Sequence, residues 1–341
     1  MRPGTLQLRS LPPLSLYIHL PWCLKKCPYC DFNSHEWSAT AEPGQALPEQ
    51  RYLDALRADL EASLPLIWGR SVHSVFIGGG TPSLFSPESI DRLLGDIRAR
   101  LRLEADCEIT MEANPGTFEK DRFKAFRGAG VTRLSIGVQS FNDTHLKALG
   151  RVHDRAQALA AVEEAAASFD TFNLDIIYGA AGETIADWRT TVADVVALDP
   201  PHVSAYGLTV EANTPLATQP ERHPDNDDQA DKYELVDELF ASSGLANYEI
   251  SNWAKPGHEC KHNYLYWLQG NYDGFGCAAH AHKDGRRWWN VRTPDRYIEM
   301  VNAGEIPESS SEMLDSETRK LEALQLLVRV RDGVPISALA E

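Results

Sequence analysis

The chain has 341 residues, 43% of them hydrophobic and 24% charged, and 33 Lys and Arg against 49 Asp and Glu leave a net charge of −16. This length suits one large α/β domain with a smaller appendage. The acidic excess argues against nonspecific nucleic-acid binding, because no basic surplus exists to neutralise phosphates. No stretch approaches the roughly 18 apolar residues of a membrane span, which leaves only peripheral membrane contact open. Pro12, Pro13 and His19 interrupt the N-terminal apolar run, an unconvincing signal peptide. Six cysteines in this length are no disulfide scaffold, and a reducing cytoplasm is the expected location.

In chain order, Leu14 to Leu20 is an apolar run closed by Pro21 and reads as a buried strand with a loop at its tip. That loop is Cys23-Leu-Lys-Lys-Cys27-Pro-Tyr29-Cys30. Thiolates this close together favour a soft metal centre over disulfides. A closed zinc site and an iron–sulfur cube both usually take four protein ligands. A cube held by three cysteines keeps one iron open, as catalysis requires. The alternative is zinc completed by His19, Asp31 or His35.

After a polar connection from Asn33 to Pro48, apolar spacing predicts a helix over Glu49 to Leu64, then a strand over Val72 to Ile77 running into Gly78-Gly79-Gly80-Thr81-Pro82. Ser86 caps a helix with Pro87 at its first position, expected to reach Leu103. Further strands are expected over Cys107 to Glu112, Arg133 to Val138, Phe172 to Tyr178 and Val203 to Leu208. The intervening helices are Phe118 to Gly128, a helix-rich stretch from Asn142 to Phe169, and Glu183 to Leu198. Six strands alternating with helices imply parallel βαβ units with right-handed crossovers, as a doubly wound sheet or a barrel. Six are too few for the usual closed eight-stranded barrel. Beyond Leu208 the rhythm breaks. A helix over Asp227 to Ser242, a strand at Tyr248 to Ser251, an aromatic and glycine-rich stretch from Trp253 to Trp289, and a helix over Asp315 to Val330 follow, with Gly333 to Glu341 opening another small element.

The polar residues that stand out fall at or just past strand C-termini, the functional rim of parallel α/β barrels. The triglycine allows close backbone approach to a ligand, or simply makes a tight turn. Glu112 ends the third strand and suits a pair of ribose hydroxyls, or else a cap or an ion pair. Gln139 ends the fourth, and Arg151, a natural bidentate partner for a carboxylate, follows twelve residues later. Asp175 lies among Phe172, Leu174, Ile176 and Ile177, where it needs a partner. Each alone is as readily structural; together, beside a three-cysteine loop, they suggest one site.

The CxxxCxxC spacing, with an aromatic before its last cysteine, resembles the radical S-adenosylmethionine (SAM) superfamily. Tyr17-Ile-His-Leu-Pro-Trp-Cys23, Gly78-Gly-Gly-Thr-Pro82, Glu112-Ala-Asn-Pro115, Ser135-Ile-Gly-Val-Gln-Ser-Phe141, Gly150-Arg-Val-His153 and Asn173-Leu-Asp175-Ile-Ile-Tyr-Gly179 are similar to the oxygen-independent coproporphyrinogen III oxidase family, in order from about residue 14 to residue 300. The resemblance implies an open, partial (β/α)6 barrel over residues 1–215, a smaller α+β extension over 216–305, and the start of a small helical domain over 306–341, truncated at Glu341. It implies a [4Fe–4S] cluster on Cys23, Cys27 and Cys30, with SAM on the open iron and in contact with Tyr17, Tyr29, Gly79, Gly80, Thr81, Glu112, Gln139, Arg151 and Asp175. One departure is Tyr178-Gly-Ala-Ala-Gly182, where the family usually reads Tyr-Gly-Leu-Pro-Gly; loss of Pro should loosen that turn.

Two features separate the family's branches. Only 22 residues precede Cys23, where the oxidase has a longer segment, and His262-Asn-Tyr-Leu-Tyr266-Trp267 matches the HNxxYW motif of the haem-chaperone (HemW) branch. The resemblance therefore implies a protein that binds haem and passes it to acceptors such as respiratory cytochromes, with an electron donor for the cluster. It favours a chaperone over an enzyme, and the alternative is decarboxylation of coproporphyrinogen III. An imidazole can ligate haem iron and aromatic rings can pack on the porphyrin, so His262 is the first candidate, with Cys260, His280 and His282 behind it. Ordinary core packing is the competing role for His262, Tyr266 and Trp267.

Overall fold

Leu14, Leu16, Ile18 and Leu20 alternate with Ser15, Tyr17 and His19 in the first strand, and only Tyr17 keeps appreciable exposure. This is the signature of a strand covered on both faces, by helices outside and by a lumen within. The computed structural model describes residues 13–37, 45–117 and 121–335. Six such strands carry the architecture: β1 (Leu14–Leu20), β2 (Ser71–Gly79), β3 (Arg102–Ala113), β4 (Arg133–Gln139), β5 (Thr171–Tyr178) and β6 (His202–Gly207). Between them run α1 (Glu49–Ile67), α2 (Pro87–Arg100), α3 (Arg122–Ala129), α4 (Asp143–Ala148), α5 (Arg155–Ser168) and α6 (Ile185–Ala197). All five adjacent pairs are parallel and in sequence order.

The local signals act as expected. Ser86 accepts the Ser89 N–H at the start of α2, and reciprocal capping boxes, Asp154 with Gln157 and Thr184 with Asp187, open α5 and α6. Helix α2 stops at Arg100 rather than Leu103, because Arg102 and Leu103 are drawn into β3 against Ser71 and Val72. Residues 142–169 split into two helices at Gly150, whose φ of +70° ends the helical path. The expected helix start at Phe118 lies outside the described residues, as does 336–341.

The remainder extends the same sheet instead of standing apart. It comprises α7 (Asn226–Ser242), β7 (Ala246–Glu249), β8 (Asn252–Ala254), α8 (Lys261–Trp267), β9 (Tyr272–Phe275), β10 (His280–Lys283), β11 (Arg286–Asn290), α9 (Pro294–Asn302), β12 (Glu308–Met313) and α10 (Ser316–Leu327). The full order is β12-β11-β10-β9-β1-β2-β3-β4-β5-β6-β8-β7. Strand β9 therefore adds a seventh parallel strand beside β1, and the two ends of the sheet are not joined among the described residues. A buried layer including Leu16, Val75, Ile109, Leu134, Ile136, Leu174 and Val203 holds the strands to the helices. No described helix is long and apolar enough to cross a membrane.

The proline-free turn after β5 is held by charge. Glu183 accepts the Gly179 N–H at 2.7 Å and faces Lys232 of α7 at 3.4 Å, both side chains fully buried. Lys232 also donates to the Glu183 carbonyl at 2.8 Å and to Asp228 at 2.6 Å. Lys232→Met leaves Glu183 buried without its cation and should destabilise the fold by about 3 kcal/mol. Urea unfolding would show it as a lower midpoint; a midpoint equal to wild type would mean that the latch contributes no stability.

Candidate functional site

The site begins with a backbone clamp. Gly80 N–H donates to Leu20 O and Thr81 N–H to Trp22 O, each at 2.8 Å, so the end of β2 lies directly on the start of the cysteine loop. A Cβ on Gly80 would sit 2.5 Å from the Trp22 carbonyl oxygen, which excludes any larger residue without backbone movement. A short parallel pairing of Trp22–Cys23 with His35–Glu36 closes the loop at its base. Within it Cys30 N–H donates to Cys27 O at 3.1 Å, and Lys26 Nζ to Phe32 O at 2.8 Å.

Cys23, Cys27 and Cys30 are free thiols that line one cavity of about 560 Å³, in the usual size range of small-ligand sites. Tyr29, Gly79, Gly80, Thr81, Glu112, Gln139, Arg151 and Asp175 line the same cavity. Tyr17 instead faces an adjoining cavity of about 610 Å³ that shares Asp31, Phe32, Gly79 and Glu112 as its party wall. Among the described residues no group of three or more His, Cys, Asp or Glu is gathered so as to hold one metal ion. Single zinc needs its donors about 2 Å from one point, whereas a cube takes each thiolate at a separate corner. Of the side chains considered as a fourth zinc donor, the two histidines are engaged elsewhere: His19 with Tyr17 OH (3.0 Å) and Asn33 O (2.8 Å), His35 with Arg292 O (3.3 Å); Asp31 lines both cavities. Burial raises the thiol pKa of Cys23 and Cys30, so a metal centre there displaces protons on binding.

The strand ends deliver acid and base to one floor. Burial, and then the nearby Asp175 charge, push the Glu112 carboxyl up to about 8, although it accepts the Gly79 N–H at 3.1 Å. Burial also raises Asp175, opposed by hydrogen bonds from Ser135 Oγ (2.9 Å) and Asn173 Nδ2 (2.8 Å). Arg151 donates to Gly137 O at 2.8 Å and to Cys27 Sγ at 3.4 Å. Gln139 sits at φ +65°, a strained setting for a residue with a Cβ, where β4 slips register against β5. Its Oε1, with Arg151 Nε and Thr110 Oγ1, is buried without a hydrogen-bond partner. Such orphaned donors and acceptors around a thiol-lined cavity fit a polar ligand beside a sulfur-held cluster.

Several lining residues escaped the sequence reading. Asn173 Oδ1 accepts from His202 Nδ1 at 2.7 Å and from Ser204 at 3.1 Å, while His202 Nε2 meets Tyr248 OH at 2.7 Å. This chain braces Asp175 from behind. Its signal was present: Asn173 and Asp175, like His202 and Ser204, are polar residues two apart in otherwise apolar strands, hence on one face.

The HNxxYW segment forms α8 and plugs the lumen. Glu108 of β3 accepts the N–H groups of Lys261 and His262, each at 3.2 Å. His262 has no exposed surface; its Nδ1 meets Ser74 Oγ at 2.8 Å and its Nε2 meets Tyr266 OH at 2.9 Å. Burial lowers its pKa to about 3. Tyr266, one helical turn on, lines the 610 Å³ cavity, and Asn263 lines the other.

The sequence model of the Radical SAM superfamily matches residues 17–195. The chain is 48% identical to the heme chaperone HemW of Haemophilus influenzae over 277 residues, covering 80% of this chain and 71% of that protein. It is 44% identical to the heme chaperone HemW of Escherichia coli, covering 92% and 84%, and 41% identical to that of Mycobacterium tuberculosis, covering 96% and 84%. Among solved structures, the radical SAM coproporphyrinogen III oxidase HemN of Escherichia coli superposes with a TM-score of 0.82 over 94% of this chain and 76% of that one, at 24% identity. That likeness bears out the partial-barrel fold.

Two outcomes follow from the geometry. Gly80→Ala should part β2 from the cysteine loop, lowering the iron and sulfide retained after anaerobic reconstitution; full retention would refute the clamp. Because folding raises the Glu112 pKa from 4.5 to about 8, the folded state binds the proton more tightly, and this residue's contribution to stability falls as pH rises through that window. Glu112→Gln should therefore flatten part of the decline in Tm between about pH 5 and about pH 8 in the ligand-free protein. Parallel Tm–pH curves for variant and wild type would contradict it.

Proposed function

The chain belongs to the radical SAM superfamily and, within it, to the HemW family, and on that premise we propose that it is a haem chaperone. In this reading it binds haem in the cytoplasm and passes it to acceptor haemoproteins such as respiratory cytochromes, with an electron donor serving its cluster. The observation that carries the proposal is the pairing of two adjoining cavities. One is lined by three free thiols and by the strand-end polar set; the other is walled by Tyr266 of the HNxxYW segment.

Cys23, Cys27 and Cys30 would hold the [4Fe–4S] cluster. Tyr29, Gly79, Gly80, Thr81, Glu112, Gln139, Arg151 and Asp175 would hold SAM, with Tyr17 reaching it from the adjoining cavity. When bound, the cluster supplies single electrons for reduction of the SAM sulfonium. The chain's own part is positioning. Arg151 presents a cation beside Cys27 for the amino-acid carboxylate. Glu112, largely protonated near neutrality, can both donate to and accept from a ribose hydroxyl. Asp175 keeps its direction through Ser135 and Asn173.

The test is to reconstitute the full chain anaerobically, reduce it with SAM present, and offer haemin and coproporphyrinogen III separately. A haem Soret band that transfers to an apocytochrome, with no protoporphyrinogen formed, is the expected result. Protoporphyrinogen formation would instead establish the oxidase activity and end the chaperone reading.

A further inference from the structure

We propose that His280, at the mouth of the 610 Å³ cavity, is the haem-iron ligand of this protein, with Trp289 backing its ring and Arg292 pairing with a haem propionate. The inference rests on the haem-chaperone reading and names the atoms that would carry it.

An iron ligand needs a free lone pair within reach of solvent-delivered haem. The other histidines near the cavities have spent theirs. His19 is bonded to Tyr17 and Asn33, His262 to Ser74 and Tyr266, and His282 to Gly270 O (3.0 Å) and Gly285 N (3.2 Å). Cys260 is buried with its Sγ 3.4 Å from Glu108. His280 differs: it is exposed, lines the cavity, and its ring nitrogens make no hydrogen bond among the described residues.

Its ring is nonetheless held still. His280 and Trp289 face each other across the β10–β11 ladder, and their rings stack at 5.6 Å with planes 23° apart. Burial and then the Arg287 charge lower the His280 pKa, which favours the neutral, ligating form. Phe32 of the cysteine loop lines the same cavity and leaves 62% of its surface exposed, an apolar plane for a macrocycle. Arg292 lies on the same rim, exposed, and its guanidinium makes no ion pair among the described residues. A flat apolar disc with a metal at its centre and carboxylates at its edge fits this set of groups. Phe32 lines both cavities, so haem seated here would lie against the cysteine loop.

The measurement is haemin titration of the intact chain, followed by Soret absorbance and by resonance Raman iron–histidine bands. Wild type should bind and show histidine ligation. His280→Ala, an exposed position whose Tm should match wild type, should bind about tenfold more weakly or worse and lose the histidine signature, with added imidazole restoring it. His262→Gln should keep the signature. Equal affinity and spectra in wild type and His280→Ala, or loss of the signature only in His262→Gln, would overturn the assignment. Failure of wild type to bind haemin would overturn the chaperone reading itself, a result seen before any variant is made.

Discussion

The contact on which the structure depends is the backbone clamp between Leu20–Trp22 and Gly80–Thr81. Two amide–carbonyl hydrogen bonds at 2.8 Å join the exit of β1 to the exit of β2, at a separation only a residue without a Cβ permits. Everything chemical is placed by it. The cysteine loop leaves β1 over the open rim, and Gly79 and Glu112 become the wall shared by two cavities. Parallel strands make this possible because their C-terminal ends all face one way, so short loops from successive strands converge.

The electrostatics show what such convergence costs. Glu112 and Asp175 are two carboxyls on one buried floor, and both are pushed towards their protonated forms. Gln139 and Arg151 carry buried polar atoms without partners, one of them on a strained backbone. Natural cores avoid these features unless a ligand compensates them. By contrast, Asp175 is braced through Asn173, His202 and Tyr248, a relay reaching from β5 across β6 to β7. The site is thus rigid behind and unsatisfied in front, as binding a preformed polar ligand requires.

The extension after β6 lengthens the sheet at both ends. Strand β9 pairs parallel with β1, and β8 runs antiparallel on β6. Helix α8 enters the lumen between these additions. Its histidine is consumed in a Ser15–Ser74–His262–Tyr266 chain of hydrogen bonds that ties plug to barrel. Two strands on, β10 turns a different histidine outward against a tryptophan.

Much of this was legible in the residues alone. Six apolar runs alternating with helical spacing implied parallel βαβ units, since burial on both faces leaves a strand little other composition; the choice of a partial barrel over a doubly wound sheet came from the family resemblance. The triglycine, Glu112, Gln139, Arg151 and Asp175 were each as readily structural on their own, and it was their recurrence at successive strand ends beside CxxxCxxC that suggested one site. Helix α2 overran its true end in the sequence reading because helix propensity is local and the β3 ladder that captured Arg102 is not. The seventh parallel strand, the Glu183–Lys232 latch and the enclosure of His262 were decided only by tertiary structure. Each depends on pairing residues far apart in the chain, and a one-dimensional pattern carries the period of an element but not the identity of what it will face.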